Sequence, residues 1–174
     1  VIVRAFGGKS PKISASAFIA DGVVIIGDVE IGDEASIWYN CVLRADVGRI
    51  VVGARSNVQD GSCLHMTHDL SHAIVGADVT IGHNVVVHGA TVHDGALVGM
   101  GSILLDNAVI GSEALIGAGT LVPPRMQVPP ATMVRGQPGR VVRELTAEER
   151  LEGRRGSAHY VALAAEHARA TALK

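Results

Sequence analysis

Aromatic residues make up only 3% of this 174-residue chain: one Trp, two Tyr and two Phe. The apolar fraction is nevertheless 48%, so small aliphatic side chains must build the core. Cysteine is almost absent; Cys41 and Cys63 form no CxxC and do not suggest a disulfide framework. No basic block is present. With 15 Lys and Arg against 17 Asp and Glu, the formal charge of −2 argues against nucleic acid as a partner. No apolar run reaches the length of a membrane span, because Gly, Asp or another polar residue keeps interrupting. No signal-peptide pattern is seen, so a soluble, cytoplasmic protein is expected.

What the chain has in abundance is glycine, 21 in all, without a collagen period. Many turns follow, and a search for repeats comes first. An aliphatic residue recurs every six positions: Ile13, Ile19, Ile25, Ile31, Ile37 and Leu43. After three extra residues the series resumes at Val52, Val58 and Leu64. After five more it resumes at Val75, Ile81 and Val87. One residue is then missing, and it runs on unbroken from Val92 to Val134, giving twenty hexads. The fourth residue after each aliphatic is usually small, as at Ala35, Cys41, Ser56, Ser62 and Ala96. A large inward residue followed by a small corner residue is what a tight coil of short strands requires. The expected fold is mainly β, a parallel β-helix of hexapeptide repeats over residues 1–138, with between six and seven coils of three hexads each. Coils stack at strand spacing, roughly 4.8 Å.

From Thr146 the text changes to a helical composition, opening with a Thr146/Glu149 capping box. Residues 139–174 are read as a C-terminal helical segment packed on the β-helix, with one or two helix pieces over 147–170 interrupted by Gly153 and Gly156. Val161, Leu163 and Ala164 are its expected packing residues.

The stretch IGHNVVVHG, residues 81–89, holds His83 and His88 five apart, a spacing that suits neither one helix face nor one strand face. Hexads three apart stack on one face. Arg44, His65 and His88 each follow a hexad aliphatic on the same face, so they form a column, with His65 and His88 one coil apart. His83 lies on the preceding face, with Asp60 beneath it and Gln59 beside that. Within one chain His83 and His88 diverge. A threefold assembly would bring unlike faces of neighbouring chains together, and with them His65 and His88 of one subunit and His83 of the next. Three imidazoles with an open fourth position describe a catalytic zinc site, although Fe(II) and Co(II) also suit imidazole. Such a metal lowers the pKa of its water to about 7. Arg44 and Asp60 are expected to form an intersubunit ion pair, Asp46 to fix the Arg44 guanidinium, and Gln59 to orient the reacting water. His93, His159 and His167 are read as surface residues.

Five ordered motifs, LRADVG (43–48), NVQDGSCLH (57–65), IGHNVVVHG (81–89), LVGMGS (97–102) and VRGQPGRVVREL (134–145), resemble those of gamma-class carbonic anhydrases over nearly the whole chain. The resemblance implies a left-handed β-helix, a hand that periodicity alone does not give. It implies a homotrimer with a metal at each subunit interface, and reversible hydration of CO2 to bicarbonate. His65, His83 and His88 match the family's ligands. Arg44, Asp46, Asn57, Gln59 and Asp60 match its active-site polar network, and Tyr160 falls where many relatives carry an active-site tyrosine. One departure stands out: Val47 occupies the position where well-characterised members have a proton-shuttling glutamate, and the loop after His65 is short. His68 or His72 is the candidate replacement. Acyl-thioester hydrolysis, a metal-carrying or siderophore-binding type of trimer, and hexapeptide acyl transfer remain the competing functions, because the fold alone does not choose.

Overall fold

In the computed structural model, which describes residues 1–170, each hexad aliphatic lies over its counterpart one coil earlier. Ile13, Ile31, Val52, Val75, Val92, Ile110 and Val128 form one column of parallel partners. Ile19, Ile37, Val58, Ile81, Val98, Ile116 and Val134 form a second. Ile25, Leu43, Leu64, Val87, Leu104 and Val122 form a third. The three columns are the inner edges of the three faces of a left-handed β-helix of about 7 turns. Ile25, Leu43, Leu64, Ile81 and Ile110 are completely buried, and each such side chain contributes about 1.5–3 kcal/mol. Only Ile13 and Ile19, on the first coil, are half-exposed, because the coil at an open end lacks a neighbour.

The corners explain the small residues. Ser56 Oγ donates to Gly76 O of the next coil at 2.6 Å and accepts from Val79 N at 2.9 Å. Ser62 repeats the device with Gly82 O and Val85 N. A hydroxyl thus satisfies two backbone groups that a bend would otherwise leave unpaired. Coils also approach very closely: a Cβ on Gly53 would stand 2.4 Å from Gly76 O.

The irregularities in the hexad series gather at one corner, where the third face turns into the first. The strand Val42–Val52 runs round it, carrying the first insertion as a register shift against Val24–Ile31. The five-residue insertion bulges out between the strands Cys63–His65 and Ala73–Val75. The missing residue shortens the same corner one coil later, at Gly89, whose φ is +67°.

The β-structure extends past Pro138. After Thr132–Gly136 the chain turns back and Gly139–Glu144 pairs antiparallel with it, so the first part of the 139–174 segment is strand. Helix α1 follows at Ala147–Arg169. Its capping box is formed, with Glu149 N donating to Thr146 Oγ1 at 3.2 Å and Thr146 N to the Glu149 carboxylate at 2.9 Å. The helix is continuous through Gly153 and Gly156. It packs along the second face through Gly153, Ser157, Tyr160, Ala164 and His167, with Val161 and Leu163 only half-buried. A Cβ added at Gly153 would stand 3.4 Å from Gly95 O and one at Gly156 3.6 Å from Thr80 Oγ1, ordinary contact distances, so both glycines lie against the coil within an unbroken helix. Residues 171–174 of the C-terminal segment lie outside the described residues. Among the described residues no helix is long and apolar enough to cross a membrane.

Candidate metal centre

His65 and His88 are cross-strand partners in the register of the third face. Both side chains occupy the outward slot beside a buried aliphatic, Leu64 or Val87, and so stand in one column. His65 Nδ1 and His88 Nε2 are 3.4 Å apart. The remaining nitrogen of each ring is held by a carboxylate: His65 Nε2 by Asp46 Oδ1 at 3.1 Å, His88 Nδ1 by Asp106 Oδ2 at 3.3 Å. His83, on the second face, has the same arrangement, its Nδ1 lying 2.8 Å from Asp60 Oδ2. An ionised carboxylate only accepts, so in a neutral ring the nitrogen it holds carries the proton. The facing nitrogens of His65 and His88 are then two lone pairs, which repel at 3.4 Å unless a cation or proton lies between them.

This donor set fits a divalent metal. Two imidazole nitrogens on a tetrahedral ion with bonds of about 2.0–2.1 Å stand roughly 3.3–3.4 Å apart. A carboxylate on the far nitrogen is the usual support of a metal-ligating histidine. His83 is about two-fifths exposed and points off a different face. Among the described residues of a single chain no three His, Cys, Asp or Glu side chains converge as a metal site.

The polar residues divide into two groups. On the third face Arg44 Nη1 donates to Asp46 Oδ2 at 2.5 Å. Burial pushes the Asp46 carboxyl up, but the hydrogen bonds from Arg44 and His65 outweigh it and hold the group below the usual carboxylate range. Asp106 behaves alike: burial raises it, while the hydroxyls of Ser71 and Thr67 and the adjacent His88 bring it below its ordinary value. On the second face, under α1, Gln59 is buried and its Nε2 donates to Asn57 Oδ1 at 3.0 Å; Asn57 Nδ2 donates in turn to Thr80 Oγ1 at 3.0 Å. Asp60 is committed to His83 within the chain, and Arg44 to Asp46. Tyr160 stands edge-on to Trp38 with ring centroids 5.3 Å apart. Burial and the Asp60 charge push its hydroxyl pKa up, so it remains a proton donor throughout the neutral range.

Val47 is half-buried and packs on the core. His68 is strongly exposed beside Asp69, and His72 Nδ1 accepts from Arg49 N at 3.2 Å, tying one insertion to the other. His167 is not simply a surface residue. Its ring packs on Trp38 at 4.9 Å and Phe18 at 6.2 Å, and its Nδ1 hydrogen-bonds the Tyr39 hydroxyl at 2.8 Å. Two residues of this region carry no signal in the hexad pattern: Asp106, an ordinary corner residue by sequence, and His167, whose partners lie more than a hundred positions away.

The family model for the bacterial transferase hexapeptide (six repeats) matches residues 10–45 and 89–124. A carbonic anhydrase of Geobacillus kaustophilus is 51% identical over 160 residues, 92% of this chain and 87% of the relative. A Methanocaldococcus jannaschii protein also named as a carbonic anhydrase, with the qualifier "probable", is 50% identical over 151 residues, 87% of this chain and 94% of the relative. A crystal structure from Bacillus cereus, described as a candidate acetyltransferase, superposes with a TM-score of 0.93 at 46% identity and covers 95% of this chain and 96% of that one. The names differ between transfer and hydration, while each match covers 87% or more of both chains. On identity of this level across nearly the full length, the chain belongs to the gamma-class carbonic anhydrase family of hexapeptide-repeat proteins.

Proposed function

We propose that this chain catalyses the reversible hydration of CO2 to bicarbonate as a homotrimer, with a divalent metal, zinc or alternatively Fe(II) or Co(II), held at each interface by His65 and His88 of one subunit and His83 of the next. One observation carries the reading: each of these three imidazoles has one ring nitrogen on its own aspartate and the other left to ligate. Two of them already face each other, and the third stands on the adjoining face, where only a neighbouring chain brings it to the pair. The family's carbonic anhydrase members support the choice of reaction.

A divalent ion held by His65, His83 and His88 would, when bound, lower the pKa of its water to about 7 and so supply a nucleophile at neutral pH. The chain's residues do the rest. Asp46, Asp60 and Asp106 hold the three rings in the ligating tautomer. Gln59 has its amide committed to Asn57, so its Oε1 is the atom it has left to accept a hydrogen bond from a reacting water. Arg44, fixed by Asp46, supplies a positive group for bicarbonate and a partner for Asp60 across the interface. Tyr160 keeps its proton and acts as a donor at the edge of the site.

Acyl transfer or thioester hydrolysis is the second reading, favoured by the name of the Bacillus cereus structure. The three separately buttressed imidazoles speak against acyl transfer, which on this fold uses a single histidine as base, whereas thioester hydrolysis would use the same three-histidine site. The deciding experiment is anaerobic purification, metal analysis and stopped-flow CO2 hydration beside a His83→Ala control, with acetyl-CoA turnover measured on the same samples. The reading expects about one metal per chain and hydration that His83→Ala abolishes. A metal-loaded trimer hydrating CO2 no faster than the control sinks it, and acetyl-CoA turnover in that sample establishes the alternative.

A further inference from the structure

We infer that Asp106 is the positioning residue for His88, and that the insertion and the deletion in the hexad series exist at this corner to bring it there. This role rests on the metal reading of the three histidines.

Asp106 belongs to the coil after the one that carries His88, and it lies outside every motif that marks the family. Its Oδ2 meets His88 Nδ1 at 3.3 Å. The five inserted residues after His65 fold onto the same carboxylate: Ser71 Oγ donates to Oδ1 at 2.5 Å and Thr67 Oγ1 to Oδ2 at 3.1 Å. Thr67 and Ser71 are thus two coils from Asp106, and a full corner of the coil between would separate them. That corner is the one from which a residue is missing. What remains at its apex is Gly89, where a Cβ would stand 2.1 Å from Ser71 Oγ and 2.3 Å from Asp106 Oδ1. Any side chain at 89 would occupy the space through which loop and carboxylate meet. Deletion, glycine and insertion together clear the path and then hold the carboxylate in it.

The consequence is chemical. With both oxygens already accepting from hydroxyls, Asp106 cannot swing away, and as an acceptor it fixes the His88 proton on Nδ1. The Nε2 lone pair is thereby turned toward His65. Free imidazole has no such commitment. The insertion therefore serves the metal centre by anchoring a buttress.

The test uses the full-length metal-free protein and then Co(II). In nitrogen-15 imidazole spectra, with His88→Ala identifying the resonances, wild-type His88 is expected as the Nδ1–H tautomer. Asp106→Ala and Asp106→Asn are expected to shift it toward Nε2–H and to weaken Co(II) binding roughly 10–100-fold. The asparagine variant keeps an acceptor for Ser71, so it covers the case in which the alanine variant loses the loop. Wild-type tautomer and wild-type Co(II) affinity in Asp106→Asn overturn the role of Asp106 alone. Failure of the wild type to bind Co(II) overturns the metal reading and this role together, and the two failures are told apart by whether wild type and His88→Ala differ in binding.

Discussion

His65 and His88 sit in register on adjacent coils with their ring centroids 5.4 Å apart and their planes tilted by 55°. The ladder that sets this pairing is the same one that stacks Leu64 on Val87, so the two imidazoles are held by the core beneath them. His83, only five positions before His88, is excluded from the pair because a corner intervenes and turns it onto another face.

The proposed site divides its ligands between subunits, and subunit mixing tests that division. His83→Ala and His88→Ala trimers are each expected to bind no metal at the interface site. Unfolded together and refolded at equal amounts, they regain about one quarter of the wild-type sites, since one in four interfaces then joins an intact His65/His88 pair to an intact His83. Metal content and hydration rate of the mixture should both return to that level. Recovery in either parent alone would show that one chain holds the whole site.

Cys41 predicts an alkaline weak point. Its thiol is fully buried at a corner of the core and donates to Gln59 O at 3.1 Å. Burial pushes its pKa from 9.0 up to about 11. The folded state therefore binds the proton more tightly than the unfolded one. The contribution is complete below pH 9 and is lost as the pH rises through about 11. The shift of two units corresponds to about 3 kcal/mol. Urea unfolding at pH 7 and above pH 11 should show wild type losing about that much more stability than Cys41→Ala, whose core lacks the titrating group.

The coil was legible because its constraint is local and repeated. Ile31, for example, needs only the hexad before and after it to fix its partners, and every later hexad restates the rule. The column that joins Arg44, His65 and His88 follows from the same arithmetic once the extra residues are sent to corners. Asp106 was not legible, because its approach to His88 depends on an insertion in one coil and a deletion in the next, and neither has a period. Propensity alone leaves one or two helix pieces open over 147–170, and the structure has one, Ala147–Arg169. Gly153 and Gly156 each cost helix stability, about 1 kcal/mol relative to Ala, but the packing of α1 on the second face, where Gly153, Ser157 and Ala164 are buried, offsets that cost. His167 reads as a surface residue by sequence because nothing nearby in the chain marks Trp38 and Tyr39 as its partners.

Proton removal from the site is expected to depend on the inserted loop. Val47 is packed on the core and carries no titratable group. His68 and His72 lie on the loop that also carries Thr67 and Ser71, which touch the carboxylate behind His88. Replacing both histidines by alanine should slow hydration in dilute buffer by roughly 10-fold or more and leave it unchanged in concentrated imidazole buffer. Equal rates for the variant and wild type in dilute buffer would remove both residues from the proton path.

The docking of α1 makes a final prediction, because it carries Tyr160. Towards its C-terminal end the helix is fastened by His167, which hydrogen-bonds Tyr39 and packs edge-on against Trp38. Tyr160 leans on the same Trp38 from two helical turns further back. The hydrogen bond is worth about 0.5–1.5 kcal/mol and an aromatic contact of this kind a similar amount. Towards its N-terminal end the helix is held independently by the Thr146/Glu149 box, which Arg143 reinforces with two contacts of 2.7 Å. His167→Ala should therefore loosen α1 from one end only. Amide exchange should rise roughly 5- to 150-fold over residues 160–169, corresponding to about 1–3 kcal/mol of lost local stability, while the amides of the hexad strands and of residues 150–153 keep their protection. Uniform acceleration along the helix would mean that α1 opens as one unit. If hydration also falls in His167→Ala, and Tyr160→Phe shows the same fall with normal exchange, the loss traces to the Tyr160 hydroxyl that the docked helix presents.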